Sequence, residues 1–458
     1  MSHRLKLSVL ALAALVFSGT ASAETARSVV LKVGMDTPVV SVGGSRKVTV
    51  RALVDPVLSK TDKRAPLAVA LVIDKSGSMG TGEKMENAKR GALEALSMLG
   101  GNDTAAVVVY DDEPYVLVPA GPAGDYDRFG QKISRVRAGG NTALYDGIEK
   151  GAGEIAPFIE TGHVPRVVLL SDGLANVGPS TVEALTGLGR RLARRDITIT
   201  TIGLGLDYDE DTMTALASQS GGNAYFAKNS DALSEIFLRD MRDAVALTGR
   251  RVKVTLYCEE GTKPIRTLGR ESSVERNIAE TDIGSLYGTE KYALFELEIP
   301  EGRDGMTLRA GSVKVEYIDA VSGLPVTLES PFEIRYEEDS SEVAKNRDVE
   351  ITHQAEMAKT AEIREGAVRL ADDGRVKEAS DLLRGRADYL KLNAPLPASA
   401  KAGEEMKGDI SDFDELASYM MENESMSNEQ RKKSVNKAYV TKNQQSDVDD
   451  QSDRDESE

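Results

Sequence analysis

Five oxygen-bearing side chains lie in three short loops of this sequence. Asp74, Ser76 and Ser78 follow an apolar stretch in the order D-x-S-x-S, Thr142 lies in a glycine-containing loop before a predicted helix, and Asp172 follows another apolar stretch. In an open parallel sheet, the loops at the carboxyl ends of the strands converge at the topological switch point. We therefore expect these two carboxylates and three hydroxyls to meet at one edge of a sheet.

The chemistry that such a cluster supports is the binding of a hard cation. Oxygen ligands without Cys or His select Mg²⁺, Mn²⁺ or Ca²⁺. Two carboxylates packed together repel each other, and a divalent cation removes that cost. The sequence therefore predicts a divalent-metal site, with Mg²⁺ as the first choice.

The segment that must position these residues, 65–248, alternates apolar strands with amphipathic helices. The stretch 67–73 is apolar on both faces, which is typical of a central parallel strand covered by helices on both sides. We predict a doubly wound, mostly parallel α/β domain. Its predicted strands are 67–74, 104–111, 166–171, 197–205 and 223–228, and its predicted helices lie near 83–99, 143–159, 180–195, 210–220 and 231–247.

The segments on either side of this domain, 24–64 and 249–338, show the period-two alternation of half-buried strands. The first contains too few strands to form a stable unit alone. The economical arrangement is one β-sandwich built from both segments, with the α/β domain inserted into it. The alternative is that the first segment adds to the edge of the α/β sheet.

Helical periodicity begins after residue 338. Two helical runs, 355–371 and 376–392, are joined by a four-residue turn, which predicts an antiparallel hairpin within 339–395. We expect 396–458 to be mostly a disordered acidic tail, because residues 443–458 contain seven acidic residues, one basic residue and a single apolar one.

The first 23 residues have the features of a signal peptide. Arg4 and Lys6 precede an apolar run over 7–17, and Ala21-Ser22-Ala23 matches the A-x-A cleavage pattern. The alternative, a retained membrane anchor, usually needs ~20 apolar residues. We predict an exported protein, periplasmic or extracellular, with no integral membrane segment after cleavage.

Composition excludes several other functions for the 458-residue chain. A net charge of −17 argues against nucleic acid as a partner. The single Cys258 and three scattered His exclude a disulfide framework within the chain and a Cys- or His-rich zinc site. The loop after the first strand lacks the G-K-[ST] of a phosphate-binding loop, and Ser76 and Ser78 lack a G-x-S-x-G elbow. We therefore expect no catalytic activity.

The five residues together resemble the metal-ion-dependent adhesion site of a von Willebrand factor type A domain, because D-x-S-x-S, the later Thr and the late Asp occur in that order at these loops. The resemblance implies that Ser76, Ser78 and Thr142 ligate the metal directly or through water, and that Asp74 and Asp172 act mainly through bound waters. It further implies an open coordination position for an acidic residue of a partner. The whole chain also resembles exported bacterial proteins that carry this domain between β segments, followed by a helical region.

The predicted function is therefore metal-dependent binding of a protein or cell-envelope ligand, in an adhesion or interaction module without catalysis. The resemblance also implies that the last helix of the domain, near 231–247, moves when the metal site is occupied. One alternative is an envelope-assembly or channel-associated regulatory subunit, since relatives of this domain are sometimes labelled channel regulators. A hydrolase with an atypical site is a further alternative, which the shortage of His disfavours.

Overall fold

The structure is a computed structural model that describes residues 28–57, 64–393 and 399–445. The predicted signal peptide and the last residues of the predicted acidic tail, 446–458, lie outside the described residues. Among the described residues, no helix combines the length and the apolar character that crossing a bilayer requires.

The described chain begins with three strands and continues into an α/β unit. The first three strands are β1 (Val29–Met35), β2 (Val39–Ser41) and β3 (Lys47–Pro56). The strands of the α/β unit are β4 (Leu67–Asp74), β5 (Thr104–Tyr110), β6 (Pro114–Pro122), β7 (Val164–Ser171), β8 (Thr198–Leu204) and β9 (Ala224–Ala227). Its helices are α1 (Lys84–Ser97), α2 (Tyr126–Ile133), α3 (Leu144–Ile155), α4 (Val182–Ala193), α5 (Glu210–Ser220) and α6 (Leu233–Val245).

The α/β sheet has the strand order β6-β5-β4-β7-β8-β9, and only β6 runs antiparallel. The side chains of β4 alternate between two cores: Val69 and Leu71 pack with α1, α2 and α6, whereas Ala70 and Val72 pack with α3, α4 and α5. The chain leaves β4 toward β5 and β6, then returns to its other side through β7. The switch point therefore lies at the carboxyl end of β4. The sequence patterns did not predict β6 or α2, because β6 is a half-exposed edge strand and α2 has only eight residues.

Seven strands follow the α/β unit. They are β10 (Leu247–Cys258), β11 (Lys263–Leu268), β12 (Ser273–Glu275), β13 (Ile278–Tyr287), β14 (Lys291–Glu298), β15 (Thr307–Asp319) and β16 (Pro325–Glu337). Together with β1–β3 they form two sheets, ordered β1-β3-β14-β11 and β12-β13-β10-β15-β16-β2. The sheets share one apolar core, in which Val50 and Phe295 of the first pack with Val254 and Leu256 of the second.

The N-terminal strands pair with these later strands and not with the α/β sheet. β3 pairs antiparallel with β14, and β2 pairs in parallel with β16. The α/β unit thus interrupts a two-sheet β unit between β3 and β10. This arrangement agrees with the insertion that the sequence predicted and not with the edge-addition alternative.

Five helices complete the described chain: α7 (Ser340–Lys345), α8 (Val349–Asp372), α9 (Val376–Asn393), α10 (Ala400–Asn423) and α11 (Asn428–Asn443). A short turn joins α8 and α9, as in the predicted hairpin. The structure differs from the sequence prediction over 400–443, where it has two helices instead of a disordered tail. Leu383 and Ala387 of α9 pack with Phe413 and Met420 of α10 in one buried cluster. Strongly charged composition concealed this contact, because only a few apolar residues of α10 form it.

Candidate metal centre

Asp74 ends β4 and is completely buried at the switch point. Its Oδ1 accepts a 2.7 Å hydrogen bond from the backbone N–H of Ser76, and its Oδ2 accepts a 2.8 Å bond from the hydroxyl of Ser171. Burial, assisted by the negative charge of Asp172, raises the pKa of Asp74 to about 6 against the effect of these hydrogen bonds. Asp74 therefore holds the following loop in place.

The hydroxyls of Ser76 and Ser78 lie side by side, with their Oγ atoms 3.0 Å apart. Ser78 Oγ donates a 2.6 Å hydrogen bond to Oδ1 of Asp172, which is fully buried. The loops that follow β4 and β7 thus meet through this contact. The residues between 74 and 78 turn tightly, because Gly77 begins a short 3₁₀ turn.

The loop that carries Thr142 is drawn to the same place by backbone hydrogen bonds. Gly77 N–H donates to the carbonyl of Gly140 at 3.0 Å. A Cβ atom placed on Gly173 would lie 3.7 Å from Thr142 Oγ1 and 3.8 Å from Ser78 Oγ. The Thr142 hydroxyl therefore faces the same small space as Ser78, next to a glycine that leaves the space open. All five side chains that the sequence singled out lie in this one region.

Two side chains that the sequence analysis missed complete the site. Asn176 Oδ1 accepts from the backbone N–H of Thr142 at 2.8 Å, and the Thr142 carbonyl accepts from the N–H of Asn176 at 3.2 Å. Lys84 Nζ donates to Asp172 Oδ2 at 2.7 Å. Consecutive left-handed residues, Gly82 and Glu83 (φ 58° for each), lead the chain into α1 and place Lys84 there. The position of Asn176 four residues beyond Asp172 was a weak signal, and Lys84 offered none.

The donor set fits a hard divalent cation. The cluster offers carboxylate and hydroxyl oxygens with no sulfur or imidazole, which is the ligand chemistry of Mg²⁺, Mn²⁺ and Ca²⁺. The ammonium of Lys84 already neutralises part of the negative charge of Asp172, so a divalent ion would compete with it for this carboxylate. Within the described ranges, no group of three or more His, Cys, Asp or Glu side chains is arranged to hold an ion.

The described histidine of the α/β unit, His163, lies far from the serines of this cluster. His163 precedes β7, at the opposite edge of the sheet from Ser76 and Ser78, and its ring contacts Thr161 and the carbonyl of Asn102. β7 has eight residues, so at ~3.3 Å per residue it separates the two edges by ~25 Å.

Comparison with known families matches residues 68–239, which cover most of the α/β unit, to the von Willebrand factor type A domain. The chain is 27% identical over 283 residues to the uncharacterized protein sll0103 of Synechocystis sp. (59% of this chain, 66% of that protein). It is 24% identical over 250 residues to the uncharacterized protein YfbK of Escherichia coli (52% and 43%). It is 26% identical over 176 residues to the calcium-activated chloride channel regulator 3A-1 of Mus musculus (37% and 18%). Each match spans less than two thirds of the relative.

Two solved structures share the fold over most of the chain. A von Willebrand factor type A protein from Catenulispora acidiphila has a TM-score of 0.67 at 17% identity, covering 86% of this chain and 91% of the other. The ArnB paralog VWA2 from Sulfolobus acidocaldarius has a TM-score of 0.55 at 17% identity, covering 91% and 98%. The similarity extends beyond the α/β unit, and at this identity it concerns the fold alone.

Proposed function

The chain carries a von Willebrand factor type A domain at residues 68–239, and on this premise we propose that the protein is an exported, non-catalytic module that binds a protein or cell-envelope ligand through a divalent metal. The metal is Mg²⁺, or Mn²⁺ or Ca²⁺ in its place. Asp74, Ser76, Ser78, Thr142 and Asp172 hold it. The ligand is an acidic residue of the partner.

One observation carries the proposal: three loops separated by long stretches of chain bring three hydroxyls and two buried carboxylates to the switch point. Asp74 uses both of its oxygens to hold the Ser76 loop and Ser171. The hydroxyls of Ser76 and Ser78 share a hydrogen bond, and the hydroxyl of Ser78 also bonds Asp172. These groups are oriented by protein contacts before any ligand arrives, and such preorganisation favours affinity.

The chemistry of the bound metal is that of a Lewis acid, which attracts a partner's carboxylate while the protein's oxygens keep part of its coordination shell. Ser76, Ser78 and Thr142 supply neutral oxygens, so the charge of the ion is only partly neutralised. Asp172 supplies a fixed negative charge beside the hydroxyl of Ser78. A carboxylate of a partner would therefore be attracted at the exposed side of this cluster.

Calorimetric titration of the purified protein with Mg²⁺, Mn²⁺ and Ca²⁺ tests the metal site. We expect one site, and we expect the double variant Ser76→Ala, Ser78→Ala to lose it because two oxygen ligands are removed. Ser97→Ala is the matched control, because Ser97 is an exposed hydroxyl of the same domain that bonds only the carbonyl of Glu94. Unchanged affinity in the double variant would mean that the metal binds elsewhere.

The partner is tested by affinity capture from the native cell envelope, with and without a chelator. A partner that is lost on chelation, and that the double serine variant also fails to capture, supports metal-dependent binding. A partner that is still captured by the wild-type protein after chelation, and also by the double serine variant, would contradict metal-dependent binding. Such a result would favour the envelope-assembly or channel-associated alternative.

A further inference from the structure

A cleft of about 1030 Å³ lies where the α/β unit, the two-sheet β unit and the C-terminal helices meet. We call it the junction cleft. The residues that line it include Gly221, Lys253, Arg270, Asp282, Lys291 and Lys442. Its size is at the upper end of the range for small-molecule sites, which runs to about 1,000 Å³. The backbones of its two halves touch, because a Cβ atom on Gly284 would lie 3.4 Å from the Cα of Gly221.

Most charges on the walls of the junction cleft are neutralised in pairs. The pairs are Lys253 with Glu280 (2.5 Å), Lys442 with Glu365 (2.8 Å), Arg431 with Asp211 and Asp372 (2.6 and 2.8 Å), and Arg251 with Asp196. These pairs join neighbouring elements. Two carboxylates of the lining, Glu271 and Asp282, form no salt bridge among the described residues.

Two cations of the lining have no carboxylate partner among the residues that the structure describes. Lys291, at the start of β14, is only 8% exposed, and among the described residues its ammonium has no carboxylate within 4 Å and no hydrogen bond. Arg270 also forms no salt bridge within the described ranges. Its Nε is buried without an acceptor, and its Nη atoms reach only the side-chain oxygens of Asn443 and Gln444, each at 3.4 Å.

Burial without a carboxylate partner is costly for both groups, although the ammonium of Lys291 lies 5.5 Å from the ring centre of Tyr287. Burial, and to a smaller extent the like charge of Arg270, lowers the pKa of Lys291 to about 7, while the more distant Asp243 and Asp282 oppose this shift. Burial lowers the pKa of Arg270 to about 10. A buried charge is normally paired, so two unpaired cations on one cleft are an exception that calls for a counter-charge.

We propose that the junction cleft binds a phosphate group between Lys291 and Arg270. The two side chains supply charge-assisted hydrogen-bond donors, and hydroxyls of the same lining, including Ser272, Ser273 and Ser285, supply further donors. The cleft is much larger than a free phosphate ion, so it also has room for the organic part of a phosphate ester. Such a ligand would contact all three parts of the fold. The site is separate from the metal centre, because β9 begins beside Gly221 and Gly222, at the opposite edge of the α/β sheet.

The test is calorimetric titration near pH 7 with two probes, inorganic phosphate and glycerol 3-phosphate, supported by thermal unfolding with each. Lys291→Met and Arg270→Met should each weaken binding by about 10- to 100-fold, the usual value of a charge-assisted hydrogen bond. Lys253→Met is the control, because Lys253 lines the same cleft but is already paired. Without phosphate, Lys291→Met should unfold at a higher temperature than the wild type, since it removes a buried charge that has no carboxylate partner. Phosphate should raise the unfolding temperature of the wild type but not that of Lys291→Met.

The outcomes separate the sources of the phosphate and the competing occupant. Equal affinity for both probes identifies the free ion as a sufficient ligand, and tighter binding of glycerol 3-phosphate identifies an ester. Failure of both probes to bind, or equal binding by wild type, Lys291→Met and Arg270→Met, overturns the proposal. Binding that appears only after residues 446–458 are removed also overturns it, because the counter-charge would then come from the chain's own acidic segment. None of these outcomes depends on the metal site.

Discussion

Lys84 Nζ donates a 2.7 Å hydrogen bond to Asp172 Oδ2, so the buried carboxylate at the candidate metal centre is already paired with a cation of the protein. The other oxygen of Asp172 accepts from Ser78. Asp172 therefore has partners on both oxygens without a metal, and the ammonium and a divalent ion would compete for the same negative charge.

Replacing Lys84 by Met should tighten Mg²⁺ binding by about 10-fold, because removal of a nearby positive charge lowers the repulsion that the ion meets. Calorimetric titration of wild type and variant measures the change. Lys150→Met, which removes an exposed lysine from α3, should leave the affinity unchanged. Weaker binding by Lys84→Met would contradict this expectation and would mean that Lys84 orients Asp172 for the metal.

Arg166→Met should reduce the free energy of unfolding by about 3–5 kcal/mol, because it leaves a buried carboxylate unpaired. Arg166 of β7 bonds Asp240 of α6 at 2.6 Å, and its guanidinium lies 4.8 Å from the ring centre of Tyr287 in β13. Arg166 therefore connects α6 to the α/β sheet and also contacts the two-sheet β unit. Urea unfolding measures the loss.

The control for this variant is Arg191→Met, which breaks the exposed pair with Glu149 and should cost less than about 1 kcal/mol. Metal affinity should not change, because Arg166 lies near the start of β7 and the candidate metal centre lies beyond its end. A similar decrease in the free energy of unfolding in both arginine variants would show that the buried pair contributes no more to stability than the exposed pair.

Asp243 should make stability fall as the pH rises between about 4 and 6. Burial, assisted by the charge of Asp240, raises the pKa of Asp243 from 3.8 to about 6. In that range the folded protein holds a proton that the unfolded chain has already released, so each step up in pH costs stability, on the order of 2–3 kcal/mol in total.

Asp243→Asn should remove this part of the pH dependence, measured as the difference in unfolding free energy between the two proteins at pH 4 and pH 7. The difference isolates Asp243 because Asp74, whose pKa is also about 6, titrates in both proteins. An unchanged slope in the variant would show that Asp243 titrates normally.

Gln445→Ala should speed hydrogen exchange of the Ala224 amide. The side chain of Gln445 accepts from the N–H of Ala224 and donates to its carbonyl, so it pairs with the outer edge of β9 as a neighbouring strand would. Exchange measured by mass spectrometry or NMR should report the loss at Ala224. Asn423→Ala, which removes an exposed amide at the end of α10, is the control and should leave Ala224 protected. No change in the first variant would mean that other contacts protect this edge.

If the protein is exported as we propose, its mature form should begin at Glu24 or within one or two residues of it, because the sequence before that point ends in Ala21-Ser22-Ala23. N-terminal sequencing of the protein recovered from cells measures this. Ala23→Tyr should block cleavage, since signal peptidase requires a small residue at that position. Recovery of the wild-type chain with Met1 still present would disprove export by this route.

The local pattern was enough to predict the elements around the candidate metal centre. Each of β4, α1, α3 and β7 lies within a few residues of its prediction, because burial on two faces or on one helical stripe leaves a periodic trace in the sequence. The helices α10 and α11 left no such trace. α11 is held largely by long-range polar contacts, such as those of Arg431 and Lys432 with Glu210 of α5, and periodicity does not report ion pairs between distant segments.

The sequence by itself determined the alternation of strands and helices, the order of the five candidate ligands and their placement at strand ends and in the loops that follow, because these depend on neighbouring residues and on period. Only the tertiary structure decided which side chains join them. Lys84 meets Asp172 across 88 positions. Lys291 and Arg270 lie together on a cleft whose walls come from three parts of the fold. Such contacts depend on how separate units pack and on the rotamers chosen at their boundaries, and neither property is encoded in a local pattern of apolar and polar residues.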